Sequence, residues 1–180
     1  MNIPNLLTLF RLILIPCFIF VFFSQSQNSL LHSILIFLLA GFTDFLDGYI
    51  ARKYKIVTKV GIVLDPLADK LMLVTVLTCL LIKSYIPAWV LIVIAAKELF
   101  MIFCGLFLYK KGTVIPSNIF GKLSTIFFYI SIFILSFAEK VGVYLLYFSV
   151  ISALVALVNY ALLYSKNKKT DNKNAAAVKE

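Results

Sequence analysis

Residues 29–69 read SLLHSILIFLLAGFTDFLDGYIARKYKIVTKVGIVLDPLAD, and two features of this stretch decide the fold. It opens on an almost wholly apolar run, 29–48, and closes inside the start of another, 60–82. A helix of roughly 20 apolar residues crosses the about 30 Å hydrocarbon core of a bilayer. Neither run is uniform, however. Asp44 and Asp47 close the first, and Asp65 and Asp69 open the second. The spacings are i,i+3 and i,i+4, so each pair shares one helix face. Two consecutive antiparallel helices can bring those faces together at one end of a bundle.

Outward from this stretch the same pattern continues. Four further apolar runs lie at 5–23, 86–109, 119–138 and 141–164, separated by short polar segments. Of the 180 residues 62% are hydrophobic, far more than a water-facing domain of this size can hide. A soluble single domain, a disordered protein and a secreted disulfide scaffold are thereby excluded. Cys17, Cys79 and Cys104 all lie inside apolar runs, as small hydrophobes do. The expectation is an all-α integral membrane bundle of six transmembrane helices. Residues 1–164 form one domain, and 165–180 form a polar tail whose composition predicts disorder.

The net charge of +9 reads as orientation. If the connecting segments alternate sides, one side carries Arg52, Lys53, Lys55, Lys59, Lys110, Lys111 and the tail lysines, the other only Lys83 and Lys140. The positive-inside rule then puts both termini in the cytoplasm, for a multi-pass protein of the cytoplasmic membrane. The same charge would draw anionic lipid, so no nucleic-acid partner is called for.

Half of the eight acidic residues fall between positions 44 and 69. Ionisable groups at membrane depth cost at least a few kcal/mol each, which makes them functional candidates. Four facing carboxylates repel unless cations neutralise them, and such hard oxygen donors suit Mg²⁺, Mn²⁺ or Ca²⁺. Four acids suffice for a two-metal clamp on a phosphate-transfer centre. Gly48, Ala51 and Gly61 follow the same faces and leave room for a bulky group, while Arg52 supplies a cation suited to phosphate. Pro66 predicts a kink or a helix start at Asp65.

The whole segment is Asp44-x2-Asp47-Gly48-x2-Ala51-Arg52-x8-Gly61-x3-Asp65-x3-Asp69. It resembles the signature of the CDP-alcohol phosphatidyltransferases at every fixed position. Eight fixed residues at fixed gaps make a specific match. The resemblance implies a small six-helix membrane enzyme, usually a homodimer. It implies that Asp44, Asp47, Asp65 and Asp69 hold two divalent cations, Mg²⁺ or Mn²⁺, and that Asp69 is also the general base. Gly48, Ala51, Arg52 and Gly61 would line the CDP-diacylglycerol site. The implied reaction moves a phosphatidyl group from CDP-diacylglycerol to an alcohol and releases CMP.

The opening residues, with Asn5, Thr8 and Arg11 at every third position, are similar to members of the family that use glycerol 3-phosphate. These three share roughly one helix face. It reads either as an N-terminal cap followed by a snorkelling Arg11 or as a face turned to the nucleotide, and the resemblance favours the second for Asn5 and Thr8. An anionic acceptor needs a basic cluster, for which the candidates are Lys97, Lys110, Lys111 and Lys122. Lys97-Glu98 is either a self-neutralising pair or a contact for substrate phosphate. Family members that use glycerol 3-phosphate typically carry Arg where this chain has Lys97, and a further Arg beyond. Lys110, Lys111 and Lys122 are similar to members that make cardiolipin from phosphatidylglycerol. The reading is therefore transfer to glycerol 3-phosphate. The alternatives are phosphatidylglycerol or another alcohol as acceptor and, in a different class, a cation or proton transporter. A transporter commonly shows repeats and broken helices in both halves, whereas this chain concentrates its acids at one end of two adjacent spans.

Overall fold

The structure, a computed structural model, describes residues 3–54, 59–110 and 119–177, with side chains over 6–50, 53–54, 64–65, 67–102 and 123–159. Six helices follow one another: α1 Ile3–Phe22, α2 Ser29–Tyr54, α3 Lys59–Ile82, α4 Ala88–Lys110, α5 Ile119–Leu135 and α6 Glu139–Ala177. No strand occurs among the described residues.

Local chemistry sets the helix ends. Asn28, a residue type suited to N-caps, precedes α2, and its carbonyl accepts the His32 N–H at 2.9 Å. Pro87 stands just before α4, where its missing N–H costs nothing. α3 ends in a Schellman turn: Tyr85 N–H donates to Leu80 O and Ser84 N–H to Leu81 O, both at 2.9 Å. Ser84 there takes φ 60°, a conformation that glycine adopts more easily. Lys83 folds back to donate to the Phe22 carbonyl at 2.6 Å and lies over the Phe22 ring, closing the C-terminal end of α1. Between α5 and α6 the turn is so tight that a Cβ on Gly142 would come 2.4 Å from the Leu135 Cα.

α1 packs most extensively on α2 and α3, and α5 on α6. Slimmer contacts of α2 with α3 and α5, and of α4 with α3 and α6, join these groups. The core contains Phe18, Phe22, Ile34, Phe37, Val76, Leu77, Leu80, Val90, Ile132, Leu135 and Leu146. Some hydroxyls inside the bundle are satisfied within their own helices. Thr43, Ser131 and Ser149 each donate to the carbonyl three residues back at 2.7 Å.

The outer surface is greasy. Phe20, Phe45, Ile92, Phe148 and Ile151 all stand exposed, a coat that water would penalise and lipid accepts. Among the described residues, length and apolarity single out two membrane-crossing candidates, Ser29–Ile50 and Glu139–Asn159, with shorter apolar helices at Leu6–Phe22 and Leu123–Leu135. α3 and α4 carry charge at depth, Asp65, Asp69 and Lys70 on one and Lys97 and Glu98 on the other.

Of the kink and the helix start that Pro66 predicts, the start does not occur at Asp65. α3 runs through Pro66 from Lys59, at the expense of one intrahelical bond. α6 is continuous from Glu139 to Ala177. A helix already nucleated extends cheaply through Ala and Lys, both good helix formers.

Candidate active site

The carboxylates come together where the N-terminal half of α1, the C-terminal half of α2 and the N-terminal half of α3 meet. At their centre is Arg11, a fully buried side chain. One terminal nitrogen, Nη1, lies 2.7 Å from Asp44 Oδ1. The other, Nη2, donates to Asp47 Oδ2. Nη1 also reaches the backbone carbonyl of Asp65 at 3.4 Å. One turn earlier on α1, Thr8 donates to Asp65 Oδ1. Arg11 therefore does not snorkel. Two carboxylates facing α1 at depth demand a counter-charge, and Arg11 is the cation on that helix placed to supply it.

Asp69 stands one helical turn beyond Asp65, turned toward α4, and belongs to a second charge cluster. Lys70 Nζ lies 3.3 Å from Asp69 Oδ2 and 2.7 Å from Glu98 Oε2, while Lys97 Nζ lies 2.6 Å from Glu98 Oε1. Glu98 thus bridges two lysines, and Lys97-Glu98 is not a closed pair. Sequence reasoning passed over Lys70. Its signal was a cation directly after an intramembrane acid. The signal for Arg11 was a cation inside an apolar run of a chain whose neighbouring runs carry four acids.

Two cavities open beside these clusters, and Asp69 lines both. The smaller, about 90 Å³, is bounded by Asp69, Lys70, Lys97, Glu98, Ser124 and Ser149. The larger, about 630 Å³, is walled by Leu38, Phe42, Phe45 and Ile126, with Asp44 and Asp69 at its polar edge. Tyr129 of α5 stands between them, lining each. It stacks on Phe37 at 4.7 Å, and its ring lies against Gly41 so closely that a Cβ there would be 2.6 Å from it. Gly41 is what lets α5 bring Tyr129 to this place.

Asp44, Asp47, Asp65 and Asp69 are thus gathered into one region, and Thr8 and Lys97 join it. Among the described residues no group of three acidic, histidine or cysteine side chains converges as a ready-made metal site. The donor chemistry nonetheless suits a hard divalent cation, and the place between Asp44 and Asp47 already holds a cation, the Arg11 guanidinium. Gly48 lies on α2 one residue beyond Asp47. The side chains of Asn5, Ala51, Arg52, Gly61, Lys110 and Lys122, and the whole of Lys111, fall outside the described residues.

Comparison with known proteins agrees with this chemistry. The sequence is 35% identical over 154 residues to the CDP-diacylglycerol--glycerol-3-phosphate 3-phosphatidyltransferase of Rickettsia bellii (strain RML369-C), covering 86% of this chain and 84% of that one. It is 35% identical over 176 residues to the protein of the same name from Wigglesworthia glossinidia brevipalpis, covering 89% and 93%. The Bacillus subtilis (strain 168) protein of that name is 37% identical over 136 residues, 69% of this chain and 70% of its own. Residues 1–158 match the family model described as CDP-alcohol phosphatidyltransferase. With the signature carboxylates drawn around one buried site and the match running through five helices into the sixth, the chain belongs to the CDP-alcohol phosphatidyltransferase family.

Proposed function

We propose that this chain transfers the phosphatidyl group of CDP-diacylglycerol to a hydroxyl of glycerol 3-phosphate and releases CMP. The observation that carries the reading is Asp69, which lies on the wall common to two cavities of opposite character. The larger, apolar-walled cavity suits the diacylglycerol end of the donor. The smaller one offers Lys70 and Lys97 as donors to the phosphate of the acceptor. Lys110, Lys111 and Lys122 remain candidates for the same phosphate on the sequence alone. The relatives named for glycerol 3-phosphate support this acceptor.

In this reading Asn5, Thr8, Gly48, Ala51, Arg52 and Gly61 form the CDP side of the site. Asp69 takes the proton from the acceptor hydroxyl as that oxygen bonds to the phosphatidyl phosphorus, and the bond from phosphorus to the CMP oxygen breaks. Asp44, Asp47, Asp65 and Asp69 would hold two divalent cations, Mg²⁺ or Mn²⁺. When bound, these neutralise the pyrophosphate and stabilise the leaving CMP. The chain works as a homodimer in the cytoplasmic membrane, with both termini and the carboxylate end on the cytoplasmic side. The basic residues of the segments between the second and third and the fourth and fifth apolar runs, and those of the tail, support the orientation.

The test is CMP release by the purified chain from CDP-diacylglycerol with a panel of acceptors. Glycerol 3-phosphate is expected to be the best acceptor, with activity lost in EDTA and restored by Mg²⁺ or Mn²⁺. A preference for phosphatidylglycerol or inositol phosphate would overturn the acceptor. Activity that resists EDTA would overturn the metal clamp.

A further inference from the structure

We infer that Arg11 is the resident counter-cation of the carboxylate cluster. It neutralises Asp44 and Asp47 while no divalent ion is bound, and it competes with that ion for them. The inference rests on the reading that these aspartates bind a divalent cation. What it adds is a device within the chain that sets the affinity of the site.

Three observations carry it. The guanidinium forks between carboxylates on two successive turns of α2, so it occupies the ground between two candidate ligands. Its Nε is buried and has no hydrogen-bond partner among the described residues. An arginine that served only to tie helices together would spend all its donors when fully buried. This one is held at its two outer nitrogens, by the Asp44 and Asp47 carboxylates and, more loosely at 3.4 Å, by the Asp65 carbonyl. Finally, Asp44 is 43% exposed and opens on the larger cavity, so an ion can reach that carboxylate without unpacking the bundle. Asp47, 5% exposed, is closed in with the guanidinium against it.

The chemistry then runs in one direction. Two like-charged carboxylates at depth cannot stay ionised without a cation, and Arg11 supplies one from inside the fold. An arriving divalent ion brings more charge to the same oxygens, and the guanidinium must give up at least one of them. Occupancy of the site and the Arg11 ion pairs are therefore alternatives. Removing Arg11 should weaken the metal-free protein and strengthen metal binding. A purely structural arginine would weaken both.

The test uses the full chain, stripped with EDTA, with Mn²⁺ alone as the probe. Binding is followed by loss of the free-ion paramagnetic resonance signal, and melting is followed with and without Mn²⁺. Arg11→Gln is expected to melt lower than wild type in EDTA, to bind Mn²⁺ at least about tenfold more tightly, and to gain more in Tm on Mn²⁺ addition. Equal or weaker Mn²⁺ binding by Arg11→Gln overturns the inference and leaves the metal site standing. Absence of saturable Mn²⁺ binding by the wild type overturns the metal reading, and this inference with it. If Arg11→Gln does not fold, Arg11→Lys takes its place. It keeps the charge but cannot fork between two carboxylates, so it must bind Mn²⁺ more tightly than wild type, and equal or weaker binding refutes the competition.

Discussion

α1, α2 and α3 each pass through two regions built by opposite means. Toward one end they meet through Phe18, Phe22, Ile34, Phe37, Val76, Leu77 and Leu80, apolar side chains buried against one another. Toward the other they meet through Arg11, Asp44, Asp47, Thr8 and Asp65, held by ion pairs and hydrogen bonds. The apolar end contributes dispersion and shape, which fix the helices relative to one another. The charged end contributes little net stability, because desolvating its ions offsets most of their attraction. Such a region persists for what it does. The apolar end should therefore respond to truncation with lost stability, and the charged end to neutralisation with lost turnover.

The largest expected effect is at the charged end. Asp69→Asn should lower CMP release by about 10³-fold, the scale of a lost general base, with melting little changed because Lys70 keeps Glu98 as its partner. Comparable loss of folding in that variant would erase the contrast between the two ends. Next comes the apolar end. Leu77→Ala, at a fully buried position, should cost about 3 kcal/mol of stability while turnover per folded molecule stays at the wild-type level. Equilibrium unfolding in detergent, paired with an activity assay normalised to folded protein, measures both.

These contrasts also mark how far the sequence could be read. The six helices were legible because each carries an apolar run, and Asp44 and Asp47 were legible because their spacing puts both on one face, where Arg11 meets them. The parting of Asp65 toward Thr8 and Asp69 toward Lys70 was not, since it depends on the neighbouring helices. Arg11 was misread because a cation on a single helix says nothing about what stands across from it. Only the packing of α1 on α2 and α3 turns it inward. Lys70 was overlooked for a related reason. Its role depends on Glu98, which is 28 positions away in the chain.

A smaller effect sharpens the comparison inside the charged end itself. Lys97→Ala should raise the KM for glycerol 3-phosphate by about tenfold, one lost charged contact's worth, and leave the KM for CDP-diacylglycerol unchanged. An unchanged acceptor KM would make Lys97 a structural partner of Glu98 alone. The smallest effect lies outside both regions, in the α3–α4 turn. Ser84→Gly relieves the φ 60° backbone and should stabilise the protein by under about 1 kcal/mol without touching activity.

The most direct test of the account is CMP release from CDP-diacylglycerol by the purified chain, with glycerol 3-phosphate supplied or withheld and Asp69 intact or changed to Asn. The account predicts release that requires glycerol 3-phosphate and collapses in the Asp69→Asn protein while that protein remains folded. Release that continues undiminished in Asp69→Asn, or that is indifferent to glycerol 3-phosphate, would contradict it.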